Sequence, residues 1–293
     1  MRKRAMLTYF TPDQNERQNI ESNAHAQANL CWTCSTCDLE CPIYRSTSQL
    51  RPQKIVRMAN LGFIDDLLSL PEIWYCLTCR RCNQVCPNLV EPATLINFLQ
   101  QETIRRKIFS WEMFSRYRDF FNRFQRVRWH AAQQCFSGNL DSVSQKLWND
   151  WLNTPAQSLS GDIQFAKRSP SSAFIDAVDQ SSTTACFNCS QCSNTCPIFF
   201  ERSVFDPQWI FRMVNMGLEE EILKSPSIWL CIECQRCTET CSELVSGHLI
   251  IQHLQELALS EGVVDRGFPF RWKNAQETLY RLFTKEVDTL FGF

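Results

Sequence analysis

The spacing of the cysteines constrains this chain more than any other property. Cys31, Cys34, Cys37 and Cys41 form C-x2-C-x2-C-x3-C followed by Pro42, and the same spacing recurs at Cys76/Cys79/Cys82/Cys86, Cys186/Cys189/Cys192/Cys196 and Cys231/Cys234/Cys237/Cys241. The offsets repeat as well: 76 − 31 and 231 − 186 are both 45, and 186 − 31 and 231 − 76 are both 155. The cysteine cores are therefore an internal duplication without a gap. Sixteen of the seventeen cysteines fall in the four runs, leaving Cys135 between the copies.

Three closely spaced thiolates hold three corners of a [4Fe-4S] cubane, and the fourth cysteine of such a run reaches the other cluster of a pair. Four runs thus predict four [4Fe-4S] clusters. Swapped ligation would place Cys31, Cys34, Cys37 and Cys86 on the first cluster and Cys76, Cys79, Cys82 and Cys41 on the second. The third would take Cys186, Cys189, Cys192 and Cys241, and the fourth Cys231, Cys234, Cys237 and Cys196. Each cluster would then staple two ends of its module together, so metal loss should unfold it. Zinc also takes four thiolates, but zinc sites group two C-x2-C knuckles around one ion, and each run here is overcrowded for a single knuckle. A secreted disulfide scaffold is excluded by chain length and helical character.

The 293 residues suffice for about two domains of ordinary size, as the duplication says independently. The formal charge of −1 describes the polypeptide alone; four thiolate-bound clusters at −2 each would bring it to roughly −9. The basic residues are what such clusters need, and they do not point to nucleic acid. No apolar segment follows the basic Met1–Met6 as in a secretory signal, and no run approaches membrane-spanning length. The expected location is cytoplasmic, with any membrane association peripheral.

Between the motifs the pattern is helical. Asp206 is placed to cap a helix with Pro207 at its first position and Gly217 at its left-handed end, and the first copy repeats this with Pro52, Ile55, Val56, Met58 and Gly62. Short helices over 64–70 and 218–224 are stopped by Pro71 and Pro226. After each second motif, Leu95/Phe98/Leu99 and Ile250/Leu254/Leu257 mark one apolar helical face. No alternating strand pattern with hairpin turns is present. The fold class expected is all-α: two tandem α-helical ferredoxin-like modules, each binding two clusters. The organisation expected is a polar arm over 1–29 that orders on a partner, a first module over 30–134, a connector over 135–184, a second module over 185–262 and an aromatic tail over 263–293.

The sequence around the motifs resembles the C subunit of heterodisulfide reductase. The resemblance rests on Cys-x2-Cys-x2-Cys-x3-Cys-Pro, on Pro52–Met58, Asn60-Leu61-Gly62 and Ile73–Cys79, and in the second copy on Pro207–Leu218 and Ile228–Cys231. It covers about 31–100 and 186–256. It implies an electron-transfer subunit that passes electrons between two partners. One is a flavin and iron-sulfur subunit similar to the A subunit of that enzyme. The other is a catalytic subunit, similar to the B subunit, that handles a disulfide, thiol or quinone. This chain departs from the family in carrying two copies fused. It has no adjacent Cys-Cys pair of the kind found in the B subunit, and no Gly-x-Gly-x-x-Gly for a flavin or nicotinamide. No catalytic residue is expected, and the alternative role is an interaction scaffold whose clusters are structural.

Weaker signals remain. The fourth run ends in Cys241-Ser242 where the others have Cys-Pro, which reads either as simple sequence drift or as a Ser242 placed to hydrogen bond a sulfur and ease reduction of the third cluster. Trp74 and Trp229 precede matching motifs and Trp32 pairs with Phe187 inside them; plain core packing is expected of all four, the alternative being that they shield the clusters from water and so tune them. Arg81 and Arg236 are placed either to offset cluster charge or to lie solvated. The stretch 105–130 interleaves Arg with Trp, Phe and Tyr as an amphipathic basic helix, whose aromatic face would pack between the modules, dock a partner or lie on an anionic membrane. His25, His130, His248 and His253 form no site, and Cys135 reads as an inert thiol.

Overall fold

The computed structural model describes residues 11–138, 140, 143–156 and 182–293, and among these every regular element is helical. It divides into two compact units, one containing the described residues to Cys76 with Arg80–Ser110, the other Leu77–Cys79 with the described residues of Trp111–Phe293.

In the first unit, α1 (Gln14–Asn23) is capped by the Asp13 carboxylate, which accepts from the amides of Asn15 and Glu16. Short α2 (Thr36–Glu40) and α3 (Pro42–Thr47) follow the first motif, and α4 (Pro52–Asn60) starts on a proline and buries Ile55, Val56 and Ala59 on one face. A proline fits the first helical turn because its missing N–H has no acceptor there. Helix α4 ends at Gly62, whose φ of +76° suits a residue without Cβ. A Cβ there would also lie 2.0 Å from the Asp13 carbonyl oxygen. The arm is thus held against this turn, with the Asp13 amide donating to Leu61 and Ile20 fully buried. Helix α5 (Ile64–Leu68), a 3-10 turn (Pro71–Tyr75), α6 (Arg81–Gln84) and α7 (Pro92–Arg105) complete the unit.

The second unit repeats these elements 155 residues on. Helices α10 (Gln191–Thr195), α11 (Pro207–Asn215), α12 (Glu219–Leu223), α13 (Arg236–Glu239) and α14 (Gly247–Ser260) correspond to α2, α4, α5, α6 and α7. Asp206 caps α11 through the Trp209 amide, and Gly217 takes φ +70°. Gln100 donates to the Ile73 carbonyl at 2.7 Å, and its counterpart Gln255 donates to that of Ile228 at 2.8 Å. Helix α3 has no helical counterpart. There the equivalent segment is held by α8 (Trp111–Phe136): Arg126 pairs with Glu201 at 2.8 Å and lies over the Phe200 ring.

The basic aromatic stretch is not one helix. Helix α7 ends at Arg105, and α8 groups with the second unit. Its aromatic face meets α9 (Gln145–Asn153) and α15 (Phe268–Phe291), with Phe124 and Phe283 at 4.7 Å and both fully buried. Each such phenyl contributes roughly 1.5–3 kcal/mol by leaving water. The tail expected over 263–293 is mostly α15, and the connector contains α9 with Trp148 and Trp151 buried. Much of the connector, 157–181, lies outside the described residues.

Candidate metal centres

Each of the four runs bends the backbone the same way. In every C-x2-C-x2-C stretch the residues on either side of the middle cysteine are left-handed: Thr33 and Ser35, Thr78 and Arg80, Asn188 and Ser190, Glu233 and Gln235. None is glycine, and this conformation costs an ordinary residue roughly 1–2 kcal/mol. Strain repeated at eight matched positions marks a functional loop held by something outside the local chain. The bend turns amides onto sulfur, with Thr33 N–H donating to Cys31 Sγ and Glu233 N–H to Cys231 Sγ, both at 3.4 Å. Leu89 and Leu244, each three residues after the last cysteine of a pair, are also left-handed.

The sulfurs are gathered across motifs as well as within them. Cys31, Cys34, Cys37 and Cys86 line one recess, floored by Gln53 and Val56 of α4. In the second unit, Cys196 is held well above the ordinary thiol range by burial, with the negative charges of Cys234 and Cys231 adding to the shift. Burial likewise pushes Cys231 and Cys237 up to about 12, and Cys237 feels Cys231, Cys234 and Cys192. Cys37 is raised to about 12 by burial, then by Asp38, Cys31 and Cys34; Cys192 is raised to about 11 by burial, with Cys186 and Asp206 adding to it. A hydrogen bond from Thr36 lowers the more exposed Cys34. Cys41, Cys76, Cys79 and Cys82 are each buried.

These residues fit cubane clusters. Thiols from two runs set around one recess suit a polynuclear group. A fully buried guanidinium, Arg128, has an Nε without a partner and lies within electrostatic reach of Cys231, as expected where a buried negative charge belongs.

Both copies place a buried carboxylate beside the third cysteine of their first run, by opposite routes. Asp38 accepts from the Gln53 amide at 2.8 Å and from Arg51 Nε at 3.1 Å, and its Oδ1 is 4.0 Å from Cys37 Sγ. Ser193 stands at the equivalent of Asp38 and Asp206 at that of Arg51. There the Ser193 hydroxyl donates to Asp206 at 2.5 Å, and Arg202 Nε donates to the same carboxylate at 3.1 Å.

Trp74 and Trp229 are core residues, but Trp32 is 76% and Phe187 60% exposed, contrary to the packing expected of them. They stand at matching places inside the motifs, and Leu89 and Leu244, also a matched pair, are exposed as well. Ser242 does not reach a sulfur; its hydroxyl donates to Glu243. Arg81 pairs with Glu40 at 2.7 Å, whereas Arg236 donates to the Thr78 carbonyl at 3.2 Å. Arg128 is the feature that sequence reasoning missed: one arginine among many in a basic stretch, it carried no signal of burial. No described helix is long and apolar enough to cross a membrane.

Residues 27–90 and 182–245 both match the 4Fe-4S dicluster domain family. The chain is 30% identical over 93 residues to the C subunit of the H(2):CoB-CoM heterodisulfide,ferredoxin reductase of Methanothermobacter thermautotrophicus, covering 32% of this chain and 50% of that protein. Against the C2 iron-sulfur subunit of the CoB–CoM heterodisulfide reductase of Methanocaldococcus jannaschii it is 40% identical over 70 residues, 24% of this chain and 37% of that one. With the C iron-sulfur subunit of the CoB–CoM heterodisulfide reductase of Methanopyrus kandleri the figures are 35% over 72 residues, 25% and 37%. The chain thus spans half or less of the curated relatives it matches. It carries two tandem 4Fe-4S dicluster domains, suited to four [4Fe-4S] clusters, and is similar to the C subunit of heterodisulfide reductase.

Proposed function

We propose that this chain is the electron-transfer subunit of a heterodisulfide reductase-like complex. It would relay electrons from or to a flavin and iron-sulfur subunit of the A type. At its other end it would meet a B-type catalytic subunit that works on a disulfide, thiol or quinone. When bound, the clusters supply one-electron storage at potentials set by charge, hydrogen bonds and burial.

The observation that carries the reading is the cross-motif gathering of sulfurs. Cys86 joins Cys31, Cys34 and Cys37 around one recess, and Cys196 is felt by Cys231 and Cys234 rather than by its own run. This supports the swapped sets: Cys31/Cys34/Cys37/Cys86, Cys76/Cys79/Cys82/Cys41, Cys186/Cys189/Cys192/Cys241 and Cys231/Cys234/Cys237/Cys196. The first set in each copy is the more open. Cys34 and Cys189 are exposed, and Trp32 and Phe187 offer beside them the kind of aromatic anchor that protein interfaces use. The polypeptide's own work is to hold thiolates, shield the deeper sets from water and present the outer ones. The names of the relatives place them in multi-subunit reductases, which supports partners of that kind here.

Iron and acid-labile sulfide assays on anaerobically isolated protein test the cofactor content. About sixteen of each per chain is expected from sixteen ligand cysteines, and zinc in their place would end the reading. Co-purification with native partners tests the complex, and recovery of the chain without any flavoprotein or reductase subunit would count against it.

A further inference from the structure

Arg128 on α8 is 1% exposed, and among the described residues it is the only fully buried cationic side chain. Its Nη2 donates to the Leu230 carbonyl at 2.8 Å and its Nη1 to Gln125 Oε1 at 3.0 Å, while Nε has no partner. No described carboxylate pairs with it. A buried charge without a counterion costs several kcal/mol, so its retention calls for an anion. Leu230 precedes Cys231, and the guanidinium favours the Cys231 thiolate electrostatically.

A second asymmetry points the same way. In the first copy both arginines around the middle of the second motif are neutralised, Arg81 by Glu40 at 2.7 Å and Arg80 by Glu91 at 3.6 Å. In the second copy the positions equivalent to Glu40 and Glu91 are Thr195 and Ser246, Arg80 is replaced by Gln235, and Arg236 is kept. Arg236 therefore stands with only a carbonyl, that of Thr78. Glu233 and Glu239, which stand where the first copy has Thr78 and Gln84, oppose these cations, and Glu233 weighs on Cys231 ahead of Arg128; both carboxylates lie at exposed positions, and Arg128 differs from them in being fully buried.

We propose that Arg128, assisted by Arg236, raises the reduction potential of the cluster held by Cys231, Cys234, Cys237 and Cys196 above that of its counterpart on Cys76, Cys79, Cys82 and Cys41. Adding an electron makes a cluster one unit more negative, and an uncompensated buried cation stabilises that form more than the oxidised one. Arg128 is a positioning residue: it ligates nothing and acts on the cluster through space. This inference rests on the four-cluster reading above.

The test is a dye-mediated redox titration of the full-length holoprotein, followed by EPR, with iron and sulfide measured on each sample. Arg128→Met should lower one midpoint by at least a factor of ten in its reduction equilibrium, about 59 mV for one electron, and leave the others in place. Arg128→Lys, which keeps the charge, should restore most of the shift. Thr195→Glu, which supplies the carboxylate that Glu40 supplies to Arg81, should lower the same midpoint from outside the core. Variants with wild-type iron and sulfide and unmoved midpoints would overturn the proposal, as would a uniform shift of every midpoint. If Arg128→Met loses cluster, the decision falls to Thr195→Glu. Wild-type protein that contains no clusters defeats the underlying reading instead, so the two failures are distinct.

Discussion

Replacing Gly247 with alanine tests how closely the second copy is packed around its sulfurs. An added Cβ would lie 2.5 Å from Phe211 Cζ, 2.9 Å from Phe211 Cε2 and 3.0 Å from Cys237 Sγ. No positive φ is involved, so space alone sets the cost. Phe211 is 2% exposed and has nowhere to withdraw, and forcing a methyl into such a core costs about 1–3 kcal/mol. The first copy shows the remedy. The counterparts of Phe211 and Gly247 are Val56 and Pro92, a smaller and a larger residue at the same pair of positions. Phe211→Val alone leaves a cavity costing about 2–4 kcal/mol, and Gly247→Pro alone clashes. The double variant Phe211→Val/Gly247→Pro should be less destabilised than the sum by at least about 1 kcal/mol, a coupling typical of residues in contact. Denaturant unfolding of the holoprotein, followed by circular dichroism for wild type, both single variants and the double variant, measures it. Additive single effects, or an Ala variant indistinguishable from wild type, would refute the argument from shared space.

Three further outcomes follow from the same contacts. Stripping the clusters with an iron chelator under oxidising conditions should collapse helical circular dichroism in the regions between motifs, because cluster binding and folding are coupled; retained helicity would show that the helices stand alone. Gly62→Ala puts a Cβ 2.0 Å from the Asp13 carbonyl at φ +76°, so it should cost at least about 2 kcal/mol and release α1, read as new protease cleavage near Ala24; an unchanged digest would sink it. His130 on α8 donates from Nε2 to the Thr154 carbonyl at the end of α9 and is held below the ordinary histidine value by burial. Its unfolded form takes up protons first as pH falls, so α9 docking is fully stable above about pH 6.5 and weakens below it. Fluorescence of Trp151, which stacks on His130, should change in that range, and a flat response in wild type would remove the linkage.

Legibility in the sequence followed the physics of each feature. The cluster cores were readable because ligand spacing is covalent information: the runs, the 45-residue step and the 155-residue offset need no tertiary structure to be seen. The helices after the motifs were readable from Pro52, Pro207 and the left-handed ends at Gly62 and Gly217, which act locally. Helix α9 was missed within a polar connector, although Leu147, Trp148, Trp151 and Leu152 share one helical face. The partner of α8 was equally hidden, because which surface an amphipathic helix covers depends on a distant element, here α15 far along the chain. Trp32 and Phe187 were misjudged for a related reason. Hydrophobic residues are enriched inside, but the rule says nothing of an aromatic beside a site that must meet a partner.

The two copies have kept their packing and let their charges drift apart, and the pattern of substitution shows which is which. Size changes come in compensating pairs, Val56 with Pro92 against Phe211 with Gly247, and so does the carboxylate beside the outer cluster, which passes from Asp38 to Asp206 as Arg51 is lost. Around the second motif the pairs are not kept: Glu40, Glu91 and Arg80 disappear, Arg236 remains, and Glu233 and Glu239 stand in place of Thr78 and Gln84. If this difference were neutral, restoring it in the first copy should have no redox consequence. Glu40→Thr tests that directly. It removes one partner of Arg81, from a pair whose side chains are 19% and 34% exposed, and such a half-open pair is worth about 1 kcal/mol or less in stability. The fold should therefore survive with clusters at wild-type content, while the midpoint of the cluster on Cys76, Cys79, Cys82 and Cys41 rises toward that of its counterpart. A midpoint that stays put in a fully loaded Glu40→Thr protein would mean that these side-chain charges are screened from the clusters, and that the divergence of the two copies lies elsewhere.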